Sequence, residues 1–138
     1  MPTSVTPKVR VVARRLLAHE SASSKRKDSD ASVPFLVCEK LRAPLAKLMG
    51  VAGFHSLLAR ALTLATVEVP ALRALRIAPD GSIASTPTSE PAHDPRTRAA
   101  GEIALTAQLL GLLITFIGPA LTQRLLLDVW PEIDDLEF

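Results

Sequence analysis

The residues best suited to nucleophilic chemistry are the single cysteine, Cys38, and His55, which stands beside Ser56. Neighbouring residues of a helix point in different directions, so His55 and Ser56 do not form a dyad by themselves. The sequence places no acidic residue at a spacing that would orient His55. A lone cysteine in an apolar stretch is typical of a small core residue. We therefore predict no catalytic residue and a protein that is not an enzyme.

Metal and phosphate chemistry is also not predicted. His19, His55 and His93 are scattered without the spacing of a zinc site, and one cysteine cannot build a cysteine-rich site or an intramolecular disulfide. The glycines at 50 and 53 are followed by Phe54 and His55, whereas a phosphate loop needs Gly-Lys-Ser/Thr after a strand. We expect no metal, no cofactor and no small-molecule ligand, in a reducing compartment.

The charge of the chain runs from basic to acidic. Residues 1–50 carry a net charge of +6, residues 51–98 carry +1 and residues 99–138 carry −5, for a total of +2. This polarity favours contact between the basic and acidic segments, within one chain or between two. The basic run 25–27 is short and is followed at once by Asp28. Because there are only four Phe, one Trp and no Tyr to stack on bases, nucleic-acid binding is not predicted.

Hydrophobic periodicity predicts helices through most of the chain. Pro7 suits a first helical turn, and a basic amphipathic helix follows it. A second helix is predicted from Ser32 to about Met49, with a bend at Pro44 or a division into two shorter helices there, because an interior proline removes a hydrogen bond. Gly50 is placed to end this helix, and a third helix is predicted over residues 54–66.

Two polar segments and one turn interrupt this pattern. Residues 21–31 have the composition of a mobile loop, and residues 84–97 form a connector rich in Pro, Ser and Thr. The Pro-Asp-Gly turn at 79–81 lies between the short segments 76–78 and 82–84, which could pair as a small β-hairpin near 76–84. We predict one domain over residues 1–138.

The most demanding stretch is 103–123, which contains no charged residue. It is long enough to cross a bilayer, yet a helix that is apolar on all sides is also typical of the centre of a bundle. Gln108 inside the stretch, Gly118-Pro119 near its end and apolar faces on the other helices favour the buried alternative. Gly118-Pro119 is also expected to kink the helix. Small residues recur along it at 107, 111, 115, 118 and 122, which would permit close approach of another helix.

Two blocks of sequence resemble recurring segments of small bacterial helical proteins that have no assigned activity. They are CEKLRAPLAKLMGVAGFHSLLARALTLA and LLGLLITFIGPALTQRLLLDVWP. The resemblance implies a bacterial source and a recurrent fold, and it carries no functional residue.

Together these patterns predict an all-α bundle of four to five helices around the apolar C-terminal helix. We expect a cytoplasmic interaction or regulatory module, since residues 1–17 lack a signal-peptide pattern. Its expected partner is a second copy of itself, as a homodimer, or another protein. The predicted contact comprises Leu121, Leu125, Leu126, Val129 and Trp130. The alternative is an inner-membrane protein that spans through 103–123, or one that lies on anionic lipid through its N-terminal helix.

Overall fold

A computed structural model describes residues 7–24, 36–77, 83–85, 95–131 and 133. Its helices are α1 (Pro7–Ser24), α2 (Leu36–Glu68), α3 (Pro95–Ile117) and α4 (Pro119–Val129). A short 3-10 helix, Pro70–Ala74, follows α2 and leads into strand β1 (Leu75–Ile77), which is followed by β2 (Ile83–Ser85). The predicted all-α bundle is confirmed.

Helix α1 begins at Pro7, where the missing N–H of proline costs no helical hydrogen bond. Val9, Val12 and Leu16 are buried and Arg14 and Arg15 are exposed, so the helix is amphipathic as predicted. The helix extends to Ser24 and thus includes the first residues of the predicted loop 21–31. The remainder of that loop lies outside the described residues.

Helix α2 is two helices joined at Gly50, which has φ 85° and ψ 157°. The helix continues through Pro44, so two shorter helices do not meet there, and the backbone leaves helical dihedral angles at Gly50, where the end of a helix was expected. The buried stripe of Val37, Leu41 and Leu45 is continuous across the proline. Burial of this stripe offsets the hydrogen bond that Pro44 cannot donate.

The predicted hairpin is present and is one residue out from its expected limits. Strands β1 and β2 pair antiparallel, with Arg76 opposite Ala84 and Ile77 opposite Ile83. Two strands of this length are not stable alone, and β1 also packs against α2.

Helix α3 is the centre of the bundle and packs against α1, α2 and α4. Every residue from 104 to 110 is buried, as expected of a helix surrounded on all sides. Within one chain the burial does not extend over the whole stretch 103–123, because Phe116 and Leu121 are exposed. The predicted kink is confirmed: α3 ends at Ile117, Gly118 has φ 90° and ψ 158°, and α4 begins at Pro119.

The direction of packing follows from two contacts. A Cβ atom built on Gly101 would lie 2.8 Å from Cδ2 of Leu72, and Gln108 contacts Glu68 further along α3. Rising numbers in α3 therefore correspond to falling numbers in α2, so α3 runs antiparallel to the C-terminal half of α2. The end of α3 near Ile117 consequently lies away from Glu68, toward the Gly50 end of that half.

Candidate functional site

The residues that the sequence singled out for chemistry occupy different environments. Cys38 is buried in the N-terminal half of α2 and belongs to the hydrophobic core, as predicted. His55 is half-buried and Ser56 is exposed, so the two side chains diverge. His93 lies outside the described residues. In the described ranges, no group of three or more His, Cys, Asp or Glu residues could hold a metal ion.

A polar cluster joins three helices near the C-terminal end of α2. Arg10 of α1 donates a hydrogen bond and forms an ion pair with Oε2 of Glu68. Nε2 of Gln108, in α3, donates to the same oxygen at 3.4 Å. Gln108 is only 2% exposed, whereas the Arg10 and Glu68 side chains are partly open to water. The cluster gives the buried amide one long hydrogen bond and links α1, α2 and α3 through the Glu68 carboxylate.

Sequence reasoning identified only one member of this cluster. Gln108 stands out in the sequence because it is a polar residue inside an uncharged stretch. No sequence signal identifies Arg10 or Glu68 as its neighbours. Arg10 pairs with Glu68 of the middle segment. The acidic tail at 132 and 134–138 lies outside the described residues, so its expected meeting with the basic N-terminal segment stays a prediction.

An open groove of about 540 Å³ lies beside this cluster, where α2 passes into the 3-10 helix. Its wall is mainly apolar and is formed by Leu62, Thr63, Thr66, Val67, Pro70, Leu72, Arg73 and Leu75. The two threonine hydroxyls donate to carbonyls of their own helix, those of Ala59 and Leu62. The groove therefore offers apolar contact with one exposed cation, Arg73, at its edge.

Large apolar side chains are exposed beside both helix breaks. Leu48 and Val51 flank Gly50, and Phe116 and Leu121 flank Gly118. Phe116 is 66% exposed, and Val67 at the groove is 75% exposed. Because exposed aromatic side chains on a helix gain much from burial, these positions are candidates for contact with another molecule.

The structure divides the five residues of the predicted interface. Leu126 is fully buried and Trp130 is 1% exposed, so both belong to the core of a single chain and cannot anchor a contact with a second copy. Leu125 and Val129 are half-buried against the core, and Leu121 is 46% exposed. The cause is that α4 turns back onto α3 after Gly118, which carries its C-terminal end inward.

Two helical segments within the described residues are long and apolar enough to cross a membrane, Lys40–Glu68 and Ala100–Ile117. Of the most apolar 18 residues in each, 28% are buried in the first segment and 50% in the second. Length and composition of this kind occur in the core helices of soluble proteins as well as in membrane spans.

Comparison of the chain with protein-family models, with curated proteins and with solved structures finds no match. Its function must therefore be inferred from its own residues.

Proposed function

We propose that the protein is a non-enzymatic helical interaction module that associates with a second copy of itself. The observation that carries the proposal is the set of large apolar side chains left in water. It comprises Val11, Leu48, Val51, Val67, Phe116, Leu121 and Leu127. Burying one such side chain stabilises a complex by roughly 1.5–3 kcal/mol, so a few of them can support association.

The distribution of these residues favours a contact at one end of the bundle. Phe116 and Leu121 lie on either side of Gly118, in a segment that the antiparallel packing places away from the Arg10–Glu68–Gln108 cluster. Closed two-fold symmetry would bury such a patch against its own copy without runaway assembly.

Sedimentation equilibrium over a concentration series tests the proposal. We expect the mass of the wild-type protein to rise above the 14.8 kDa of one chain at micromolar concentrations. Phe116→Asp should remain closer to one chain, because a carboxylate would have to lose water in the contact. Ser56→Asp, which adds the same charge at an exposed site on α2, should behave as the wild type. A constant one-chain mass up to high micromolar concentration contradicts the proposal.

Membrane association is the second candidate function. It is favoured by the low burial of the apolar segment Lys40–Glu68. Exposing so much apolar surface to water is unfavourable, and lipid would cover it. Expression followed by membrane fractionation and carbonate extraction separates the two candidates. Recovery in a carbonate-resistant pellet supports the membrane protein, whereas recovery in the supernatant supports the soluble module.

A further inference from the structure

The exposed face of α4 carries a stripe of alternating apolar and charged residues. Leu121, Arg124, Leu125 and Asp128 are spaced by three, one and three residues, which places them on one side of a helix. Leu121, Arg124 and Asp128 are exposed and Leu125 is half-buried, while the opposite side of α4 enters the core.

The two charges of this stripe are available to another molecule. Within the part of the chain that the structure describes, neither the Arg124 side chain nor the Asp128 side chain has a hydrogen bond or an ion pair. They stand one turn apart on α4, at about 6 Å along the axis. Their order, with the basic residue before the acidic one, is also the less favourable order for a pair within a helix.

This arrangement is complementary to itself under a two-fold axis. If two copies of α4 pack antiparallel with the axis midway between the charged positions, each Arg124 faces the partner's Asp128. The two Leu125 side chains then lie near the axis, and Leu121 lies at the level of the partner's exposed Pro131. A parallel arrangement would place Arg124 against the partner's Arg124, so the charges select the antiparallel one.

We propose that two copies of the chain associate through this face of α4, with reciprocal Arg124–Asp128 pairs on either side of an apolar centre at Leu125 and with Leu121 at each end of the contact. The inference rests on the proposed self-association and names its surface. A contact built around two helices of 11 residues buries less surface than a standard interface, which buries about 1,600 Å². The dissociation constant is therefore expected in the micromolar range.

Charge reversal in separate chains tests the proposal. Arg124→Asp makes both positions acidic and Asp128→Arg makes both basic, so each variant should self-associate at least about tenfold more weakly than the wild type. An equimolar mixture of the two variants should associate, because every pair across the axis is then opposite in charge. The double variant Arg124→Asp/Asp128→Arg should again form homodimers. Sedimentation of the full chain with one variant fluorescently labelled measures all three cases.

The outcomes separate this inference from the proposed function. If the wild type associates and both reversals leave its dissociation constant unchanged, self-association stands and the α4 surface is overturned. Failure of the mixture to associate also overturns it, and a monomeric wild type at high micromolar concentration removes both proposals. Thermal unfolding monitors the fold of each variant. If a reversal does not fold, Arg124→Gln and Asp128→Asn must each weaken association, and an unchanged dissociation constant overturns the inference.

Discussion

At the scale of single residues, Thr106 has a buried hydroxyl group whose oxygen lacks a hydrogen-bond partner in the described part of the chain. A buried polar group without a partner destabilises a protein by about 1–3 kcal/mol. Thr106→Val keeps the branched shape and removes the hydroxyl. We expect it to raise the free energy of unfolding by about 1 kcal/mol, measured by urea denaturation.

Thr122 supplies a matched control for this prediction. It is equally buried, but its hydroxyl donates to the carbonyl of Gly118 at 2.8 Å. Thr122→Val should therefore lower the free energy of unfolding, by about 0.5–1.5 kcal/mol. Equal effects of the two substitutions would show that the Thr106 hydroxyl is satisfied.

For the polar cluster, we expect substitutions of Glu68 and Gln108 to have non-additive effects on the free energy of unfolding. Glu68→Ala removes the acceptor of the nearly buried Gln108 amide and should lower the free energy of unfolding by about 1–3 kcal/mol. Adding Gln108→Leu removes the amide that was left unpaired, so the double variant should regain part of this loss. Arg10→Ala should cost less, because ion pairs this open to water contribute about 0–1 kcal/mol. Strictly additive changes in a double-mutant cycle would contradict the coupling.

At the scale of helices, the two breaks use almost the same backbone conformation. Gly50 has φ 85° and ψ 157°, and Gly118 has φ 90° and ψ 158°, a region open essentially to glycine alone. Gly50→Ala and Gly118→Ala should each lower the free energy of unfolding by about 1–3 kcal/mol. This loss arises from the backbone, since a Cβ atom at either position meets nothing within 4 Å.

Gly53→Ala is the control for this prediction, because Gly53 lies within the helical part of α2. Its Cβ atom would approach that of Met49 at 3.2 Å, while alanine favours a helix by about 1 kcal/mol over glycine. These effects oppose each other, so we expect a small change in thermal stability. A loss as large as that of Gly50→Ala would remove the conformational explanation.

Helix breaks could be predicted from the sequence where the residue type itself dictates them. Gly118-Pro119 and Gly50 were predicted correctly because only glycine adopts such dihedral angles at low cost. The effect of Pro44 could not be predicted from the residue type alone, because it depends on context. The buried stripe on both sides of Pro44 keeps the helix continuous, and the depth of that burial is a property of the assembled bundle.

At the scale of the whole molecule, periodicity predicted the helices but not which helix packs against which. Glu68 is 58 residues from Arg10 and 40 from Gln108, and neither pairing has a sequence signal. The small-residue pattern at 107–122 likewise missed the close approach at Gly101, which contacts Leu72. The burial of Trp130 within one chain likewise has no sequence signal, because the packing of α4 onto the core is a tertiary feature.

The exposed apolar residues should contribute to the hydrophobicity of the protein surface and little to the free energy of unfolding. Val67→Ser and Phe116→Ser should change the free energy of unfolding by less than about 0.5 kcal/mol and lower the binding of a hydrophobic dye. Leu113→Ser, at a buried site of α3, should destabilise the protein strongly. Strong destabilisation by Phe116→Ser would instead place that ring in the core.

The sequence separation between the members of the polar cluster also affects when the cluster forms during folding. Closing such long loops costs chain entropy, and that cost is recovered only after α2 and α3 have packed. We therefore expect the hydrogen bond between Glu68 and Gln108 to form after the rate-limiting step. Weakening it should accelerate unfolding and leave the refolding rate nearly unchanged. The cluster would then lengthen the lifetime of the folded chain by slowing its unfolding, with little influence on how fast the chain folds.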